Sequence, residues 1–136
     1  MKSKFSILLA VLALLASTLA CAVGGELSLT NARMSTDSDG KNVTTTFSPT
    51  DVFYVVADLA NAPTGTKVDA KWIAVDIPGE QANSVFTETN YVTDTDNFSG
   101  IVYFELSNDS GWPAGSYKVE LYLNGALAQS LDFTVQ

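Results

Sequence analysis

The chain contains no histidine and only one cysteine, Cys21. Without histidine it lacks the side chain that most often serves as a general base or a zinc ligand, and a Ser–His–Asp triad is excluded. A lone cysteine has no partner for a disulfide within the same chain. Basic residues are also scarce, with 7 Lys and Arg against 15 Asp and Glu, so the formal net charge is −8. This acidic balance argues against nucleic acid as a partner.

Residues 1–20 have the pattern of an export signal. Lys2 and Lys4 give a positive start, and a mostly apolar run follows from Phe5 to Leu15 before small residues lead to the cysteine. The run is too short to span a membrane comfortably, which is typical of a signal peptide. We therefore predict that the protein is exported.

The sequence around Cys21 resembles the lipobox of bacterial lipoproteins. Ala20 matches the small residue that precedes the cysteine in that family, while Thr18 and Leu19 are permissive matches. The resemblance implies cleavage before Cys21 and a diacylglycerol on its thiol, so that the membrane becomes a partner through the lipid. Residues 21–25 are then the lipidated cysteine and a short tether.

Ordinary signal-peptide cleavage is the alternative interpretation of the same segment. Ala20-Cys21-Ala22 also satisfies the A-x-A pattern of a cleavage site. Cleavage there releases a soluble secreted domain that starts at Val23.

Residues 26–136 predict one all-β domain. Short runs rich in Val, Thr, Tyr and Phe are separated by clusters of Gly, Pro, Asn and Asp, and several runs alternate apolar and polar residues. Alternation with a period of two places one face of a strand in a core and the other in water, as in antiparallel sheets. The predicted strands are Glu26–Arg33, Asn42–Phe47, Asp51–Leu59, Lys67–Ile77, Ser84–Val92, Phe98–Leu106, Ser116–Leu123 and Leu127–Val135.

The last two predicted strands form a hairpin around Asn124 and Gly125. A plain two-residue turn would place the apolar rows of the two strands on opposite faces, and a slip by one residue restores the match. We therefore predict a bulged turn with Gly125 at positive φ and Leu121 opposite Leu127. In that register Gln129 points inward without an evident partner.

The segment Gly115–Val119 resembles the tyrosine corner of immunoglobulin-like domains, with Tyr117 in the role of the tyrosine. Trp72 resembles the buried tryptophan of strand C in that family. The resemblance implies an immunoglobulin-like, or fibronectin-III-like, antiparallel sandwich of seven or eight strands. It also implies that the hydroxyl of Tyr117 bonds back to the backbone. Such modules are mostly adhesive or structural, and the fold alone implies no activity.

Two features are candidate partner-binding sites. Ile73 and Val75 lie on a strand face that begins polar, and Tyr122 belongs to the outer row of the neighbouring strand. These three side chains form an exposed apolar patch, unless the strand bulges or switches sheets and buries them. Trp112 lies in a loop, where its indole either stacks against a sugar or caps the open end of the sandwich.

Two acidic turns resemble calcium loops only faintly. The first contains Asp37, Asp39 and Asn42, but Ser35 and Thr46 stand where the EF-hand pattern needs acids. Asp, Asn and Gly are also the residues that ordinary turns use. The second turn has the acids Asp94 and Asp96 followed by Asn97. Calcium is therefore the one cofactor the sequence allows, and none is required.

The sequence as a whole predicts a non-enzymatic lipoprotein of the cell envelope. Its acids are scattered over turns and polar strand faces, and they do not form the facing pair that glycosidases need. The expected role is to present one immunoglobulin-like domain as a protein-interaction or structural module. A carbohydrate-binding module centred on Trp112 is the alternative, as is a secreted soluble binding domain.

Overall fold

The computed structural model describes residues 25–136. The predicted signal segment at residues 1–20, Cys21 and residues 22–24 lie outside the described residues. The described part contains no helix, and so none that is long and apolar enough to cross a membrane. It forms eight strands: β1 (Ser28–Ser35), β2 (Thr46–Phe47), β3 (Phe53–Ala62), β4 (Lys67–Asp76), β5 (Ser84–Val92), β6 (Phe98–Leu106), β7 (Gly115–Leu123) and β8 (Ala126–Val135).

The strands form two sheets of unequal width. The narrow sheet has the order β1-β3-β6, and the wide sheet has the order β2-β8-β7-β4-β5. Neighbouring strands are antiparallel, apart from the short parallel pair of β2 and β8. The two sheets stack face to face, which confirms the all-β sandwich predicted from the sequence.

The core lies between the sheets and is built from the alternating rows of β3, β4, β7 and β8. Trp72 on β4 is completely buried, as its resemblance to the strand-C tryptophan implies. Phe53 on β3 contacts Phe133 on β8 with ring centroids 4.9 Å apart. Within residues 25–136 every buried side-chain nitrogen or oxygen has a hydrogen-bond partner. Burial of a Trp or Phe side chain stabilises the fold by a few kcal/mol, so these rows hold the sheets together.

The tyrosine corner has the predicted geometry. The Tyr117 hydroxyl donates a hydrogen bond of 2.6 Å to the carbonyl oxygen of Pro113. The chain enters β7 through Gly115, where φ is +153°. A Cβ at this position would lie 2.5 Å from the carbonyl oxygen of Asp76, so only glycine fits between the two strands.

The second strand is much shorter than predicted, with two residues in place of Asn42–Phe47. The segment before it is a turn organised by side chains. Thr44 accepts a bond from the Thr46 amide through its hydroxyl and donates one to the Thr46 carbonyl oxygen. Residues 42–44 bond to the end of β1: the Thr36 amide donates to the Asn42 carbonyl oxygen and the Thr44 amide donates to that of Met34. The chain therefore pairs with β8 only from Thr46.

The last hairpin has the predicted glycine conformation but a different register. Asn124 and Gly125 both have positive φ, 49° and 86°, which makes a two-residue turn of the mirror-image type. The bulge lies in β8, so Leu121 pairs with Gln129 and not with Leu127. The prediction for Leu127 was therefore wrong, because a shift by one residue in either direction brings the apolar rows to the same face. Gln129 has a partner after all: its amide donates 3.2 Å to the carbonyl oxygen of Leu29.

The first prediction concerns the tyrosine corner. Tyr117→Phe removes one hydroxyl and its bond to Pro113 while it keeps the ring. We expect the free energy of unfolding, measured by urea titration at neutral pH, to fall by about 1–2 kcal/mol. Tyr103→Phe removes a hydroxyl from a half-exposed ring and should change it by less than about 0.5 kcal/mol.

The loss of stability in Tyr117→Phe should depend on pH, and the direction of that dependence follows from the pKa of Tyr117. Burial, with the nearby charge of Glu80, raises the pKa of the Tyr117 hydroxyl. The neutral form is therefore favoured in the folded state, and its stabilisation is lost as the pH rises above about 10. The stability difference between the wild type and Tyr117→Phe should narrow in that range. Equal losses for the two variants at neutral pH would contradict the role of the corner.

Candidate functional site

The predicted apolar patch on the outer face of β4 does not exist as an exposed surface. Ile73 is only 5% exposed, so the prediction of an exposed Ile73 was wrong. It lies opposite Lys118 of β7 and Val85 of β5, and the pairing of β4 with β5 shifts by one residue at this point. The bulge and the two flanking strands bury Ile73, as the alternative interpretation of this strand stated.

The other two members of the patch, Val75 and Tyr122, are half-buried. Val75 is half-buried near the end of β4. The ammonium group of Lys71 lies 4.7 Å from the centre of the Tyr122 ring, and the Tyr122 hydroxyl is 3.3 Å from a carboxylate oxygen of Glu120. A cation over the ring and an acid at its hydroxyl cover much of Tyr122, so this face is more polar than its sequence suggests.

Trp112 closes one end of the sandwich. Its indole stacks on Phe53, with ring centroids 4.5 Å apart and an interplanar angle of 20°. The indole Nε1 donates a 3.0 Å bond to the carbonyl oxygen of Asp51, and the Trp112 amide donates 2.7 Å to the carbonyl oxygen of Pro49. One face and the polar edge of the indole are therefore used within the fold, which favours the capping role. We call this end of the molecule the tryptophan end.

A small hollow of about 230 Å³ lies beside Trp112. Phe86 forms one wall: it is 41% exposed, and its ring centroid is 6.2 Å from that of Trp112. Its polar side chains are Glu80, Asn108 and Tyr117. The Asn108 side chain is already bonded to Ser110 and Gly111, and the Tyr117 hydroxyl to Pro113. The hollow is smaller than the roughly 300–1,000 Å³ of typical small-molecule pockets.

The first acidic turn is organised by the Asp37 carboxylate. Ser35 and the Lys41 amide donate to one oxygen at 2.9 Å each, and Asn42 donates to the other through its amide and its side chain. Desolvation opposes ionisation, but these donors outweigh it and hold the pKa of Asp37 below its ordinary value. Both oxygens are engaged by protein donors, and Asp39 is paired with Lys41 at 3.7 Å.

The second acidic turn lies at the opposite end of the molecule. Asp96 accepts hydrogen bonds from the hydroxyl and the amide of Thr64, and these bonds lower its pKa. The two turns therefore do not share a site. Across the described residues no group of three or more His, Cys, Asp and Glu side chains is arranged to hold a metal ion. Calcium binding stays a prediction from the sequence.

A second, larger hollow lies along one side of the sandwich, between the edge strands β5 and β6. We call it the open side. Tyr91 of β5 and Phe98 of β6 bridge it with ring centroids 6.3 Å apart. Its groove has a volume of about 430 Å³ and is lined by Tyr91, Phe98 and the β6 segment 101–105.

The two strands that border the open side carry most of the exposed large apolar side chains, on more than one face. Of the seven large apolar residues that are exposed in the described part of the chain, five lie on β5 and β6: Val85, Phe86, Val92, Ile101 and Tyr103. Sequence analysis missed this surface. The signal was the run Ile101–Phe104, which is apolar on both faces of one strand and therefore needs cover on both sides.

No protein-family model and no curated protein matches the chain. Solved structures match its fold. An alkylpurine DNA glycosylase from Pseudomonas fluorescens is 15% identical with a TM-score of 0.53 over 82% of this chain, which spans 30% of that protein. A β-glucosidase from intestinal bacteria is 13% identical with a TM-score of 0.54 over 82% of this chain, which spans 16% of it.

A third structure matches over its entire length. It is an immunoglobulin-like protein from Pseudomonas aeruginosa, 12% identical with a TM-score of 0.50 over 85% of this chain and 100% of its own. Identities this low show the fold alone. The chain is thus an immunoglobulin-like β-sandwich, as its tyrosine corner implies, and the two enzymes share only that architecture with it.

The second prediction concerns the capping role of Trp112. Trp112→Ala removes the stacking on Phe53 and the bond to Asp51, so we expect the free energy of unfolding to fall by about 2–4 kcal/mol. Trp112→Phe keeps a ring over Phe53 and should cost about 1–2 kcal/mol for the lost indole bond. Urea titration gives both values. Leu127→Ala, at a side chain that is 55% exposed, is the control, and a Trp112→Ala loss no larger than that control would refute the cap.

Proposed function

We propose that this protein is an exported lipoprotein, anchored by a lipid on Cys21, whose immunoglobulin-like domain is a non-enzymatic protein-interaction module. The observation that carries the interaction role is the open side. Its groove is lined mostly by apolar side chains, and two of these, Ile101 and Tyr103, are about half exposed. Contiguous apolar surfaces of this kind mark sites of association.

The position of Gly25 suits such an anchor. It lies beside Asn61, whose side chain donates 3.0 Å to the carbonyl oxygen of Glu26. The loops 63–66 and 93–97 and the turn at Asn124 are at the same end, which is opposite to the tryptophan end. A lipid on Cys21 would hold this end close to a membrane, because four residues reach at most about 14 Å.

That orientation leaves the open side accessible. Strands of nine or ten residues are about 30 Å long, so the tryptophan end would stand that much farther from the membrane. The groove between β5 and β6 would run along the molecule from the membrane outward. A partner in the envelope could then reach it from the side without displacing the anchor.

The third prediction tests both halves of this proposal in one strain. A photo-reactive amino acid at position 103 of the full chain should crosslink to a partner protein in intact cells, because Tyr103 is 50% exposed on the open side. The protein should be found in the membrane fraction, and mass spectrometry should show a diacylglyceryl group on an N-terminal Cys21. Cys21→Ser should move the protein to the soluble exported fraction.

The matched control places the same photo-reactive group at position 127, which is 55% exposed on β8 away from the open side. It should give no protein crosslink. Equal crosslinking from positions 103 and 127 would end the claim for the open side. An unmodified chain that begins at Val23 would end the anchor.

A carbohydrate-binding module is the second candidate. The observation in its favour is the hollow at the tryptophan end, where Trp112 and the exposed ring of Phe86 line one cavity. Flat aromatic rings are suited to stack against sugar faces.

The fourth prediction belongs to this candidate. If it is right, a glycan array will identify a glycan whose affinity falls at least about tenfold in Phe86→Ala, because that variant removes the exposed ring and keeps Trp112 in place. Leu127→Ala should bind the same glycan as the wild type. No glycan bound by the wild type, or no effect of Phe86→Ala, would remove this candidate.

A further inference from the structure

The narrow sheet has three strands and cannot cover all five strands of the wide sheet. Gln129 of β8 bonds to Leu29 of β1, and Phe53 of β3 packs on Phe133 of β8 and Tyr117 of β7. With β1 and β3 placed over β8 and β7, β6 is the last strand of its sheet and β5 extends beyond it. No strand of residues 25–136 lies beside β6 to cover that extension.

The inner face of β5 shows the effect of this missing cover. Thr87, Thr89 and Tyr91 alternate along that face and are only half-buried, whereas Trp72 on the adjacent strand is fully buried. Thr89 also reaches the indole Nε1 of Trp72 at 3.4 Å, which marks the border between the closed core and the groove. One more strand beside β6 would close the sandwich over these side chains.

The free edge of β6 is not protected against pairing. Half of the backbone amide and carbonyl groups of an edge strand point away from the sheet and can accept another strand. Proteins usually block such edges with lysine, proline, bulges or a covering loop. From Ile101 to Leu106 the strand has none of these residues, and its one charged side chain is Glu105.

We propose that β6 binds an extended segment of another protein as an added strand of the narrow sheet. This inference rests on the proposed interaction role and names how the partner binds. Alternate apolar side chains of the added segment would enter the groove against Tyr91, Phe98 and Phe104. Its backbone would pair with the free edge of β6, as in other cases of strand addition.

The charge of the stretch that contains β5 and β6 indicates the chemistry of that segment. Between Trp72 and Tyr117 the chain has no lysine or arginine. The same stretch contains seven acids: Asp76, Glu80, Glu88, Asp94, Asp96, Glu105 and Asp109. This stretch contains β5, β6 and both of their flanking loops. Glu105 is the charged residue of the groove lining, so electrostatic complementarity favours a basic segment, with Lys or Arg between its apolar residues.

A second copy of this chain does not fit the same edge. Two copies would bring two acidic surfaces together, and like charges in contact oppose association. In a two-fold pair of β6 strands, the extension formed by β5 in one copy would also occupy the space needed by β5 of the other. A single added strand has neither difficulty.

The fifth prediction tests strand addition directly. The probe is a library of peptides about ten residues long, with Val, Ile or Phe alternating with Lys or Thr. The protein is the chain from residue 21 onward with Cys21→Ser. We expect the tightest peptide to shift the NMR amide signals of residues 99–105 and Tyr91 and to slow hydrogen exchange along β6. Replacing its lysines by glutamate, or methylating alternate backbone amides, should weaken binding at least about tenfold.

Two variants of equal charge provide the control. Tyr103→Lys places a cation on the β6 edge and should weaken binding at least about tenfold, while Leu127→Lys, at similar exposure on β8, should stay within about twofold. Strand addition is overturned if no peptide binds at about millimolar concentration, if the two variants behave alike, or if the shifted signals lie at the tryptophan end.

The outcomes separate this inference from the proposed function. Crosslinking from position 103 in cells together with failure of every peptide would leave the interaction role intact and reject strand addition as its mode. A soluble protein without acylation would reject the anchor and leave the peptide result unaffected, because the binding assay uses the Cys21→Ser chain.

Discussion

Phe53 is the contact on which the arrangement of the two sheets depends. Its ring is fully buried and packs against Phe47, Tyr117, Phe133 and Trp112, with centroid distances of 4.5–5.8 Å. These four partners come from three strands of the wide sheet and from the loop that closes the tryptophan end. Because aromatic rings of this size fill a core with little freedom, the position of β3 over β7 and β8 is fixed by this one side chain.

The open side follows from that alignment. Once β3 lies over β7 and β8, a three-stranded sheet reaches only part of the way across a five-stranded one, and β5 remains beyond its edge. The same packing that makes one end a closed, aromatic cap therefore leaves one side with a groove and an unpaired strand edge. The cap and the groove are two results of a single constraint.

Much of the fold could be predicted from local pattern, because alternation, turn residues and the tyrosine corner act over a few positions. The bounds of β5 and β6 and the hydroxyl bond of Tyr117 are of this kind. The burial of Ile73 depended on which strands flank β4 and on a bulge in a partner strand. The sequence fits a one-residue register shift in either direction equally well, so it could not predict the partner of Leu127. The groove could not be predicted from the sequence for a related reason. It depends on how many strands each sheet contains, and no single segment encodes that number.

The acidic stretch between Trp72 and Tyr117 opposes self-association through the free edge of β6. An apolar strand with a free edge pairs readily with its own kind, and the proposed lipid anchor would raise the local density at which copies of the chain meet. The stretch that contains β5 and β6 has seven acids and no lysine or arginine, and Glu105 lies on β6 itself, so two copies repel while a basic strand is attracted. The charge pattern thus keeps the edge available and at the same time selects what can occupy it, so that solubility and specificity arise from the same residues.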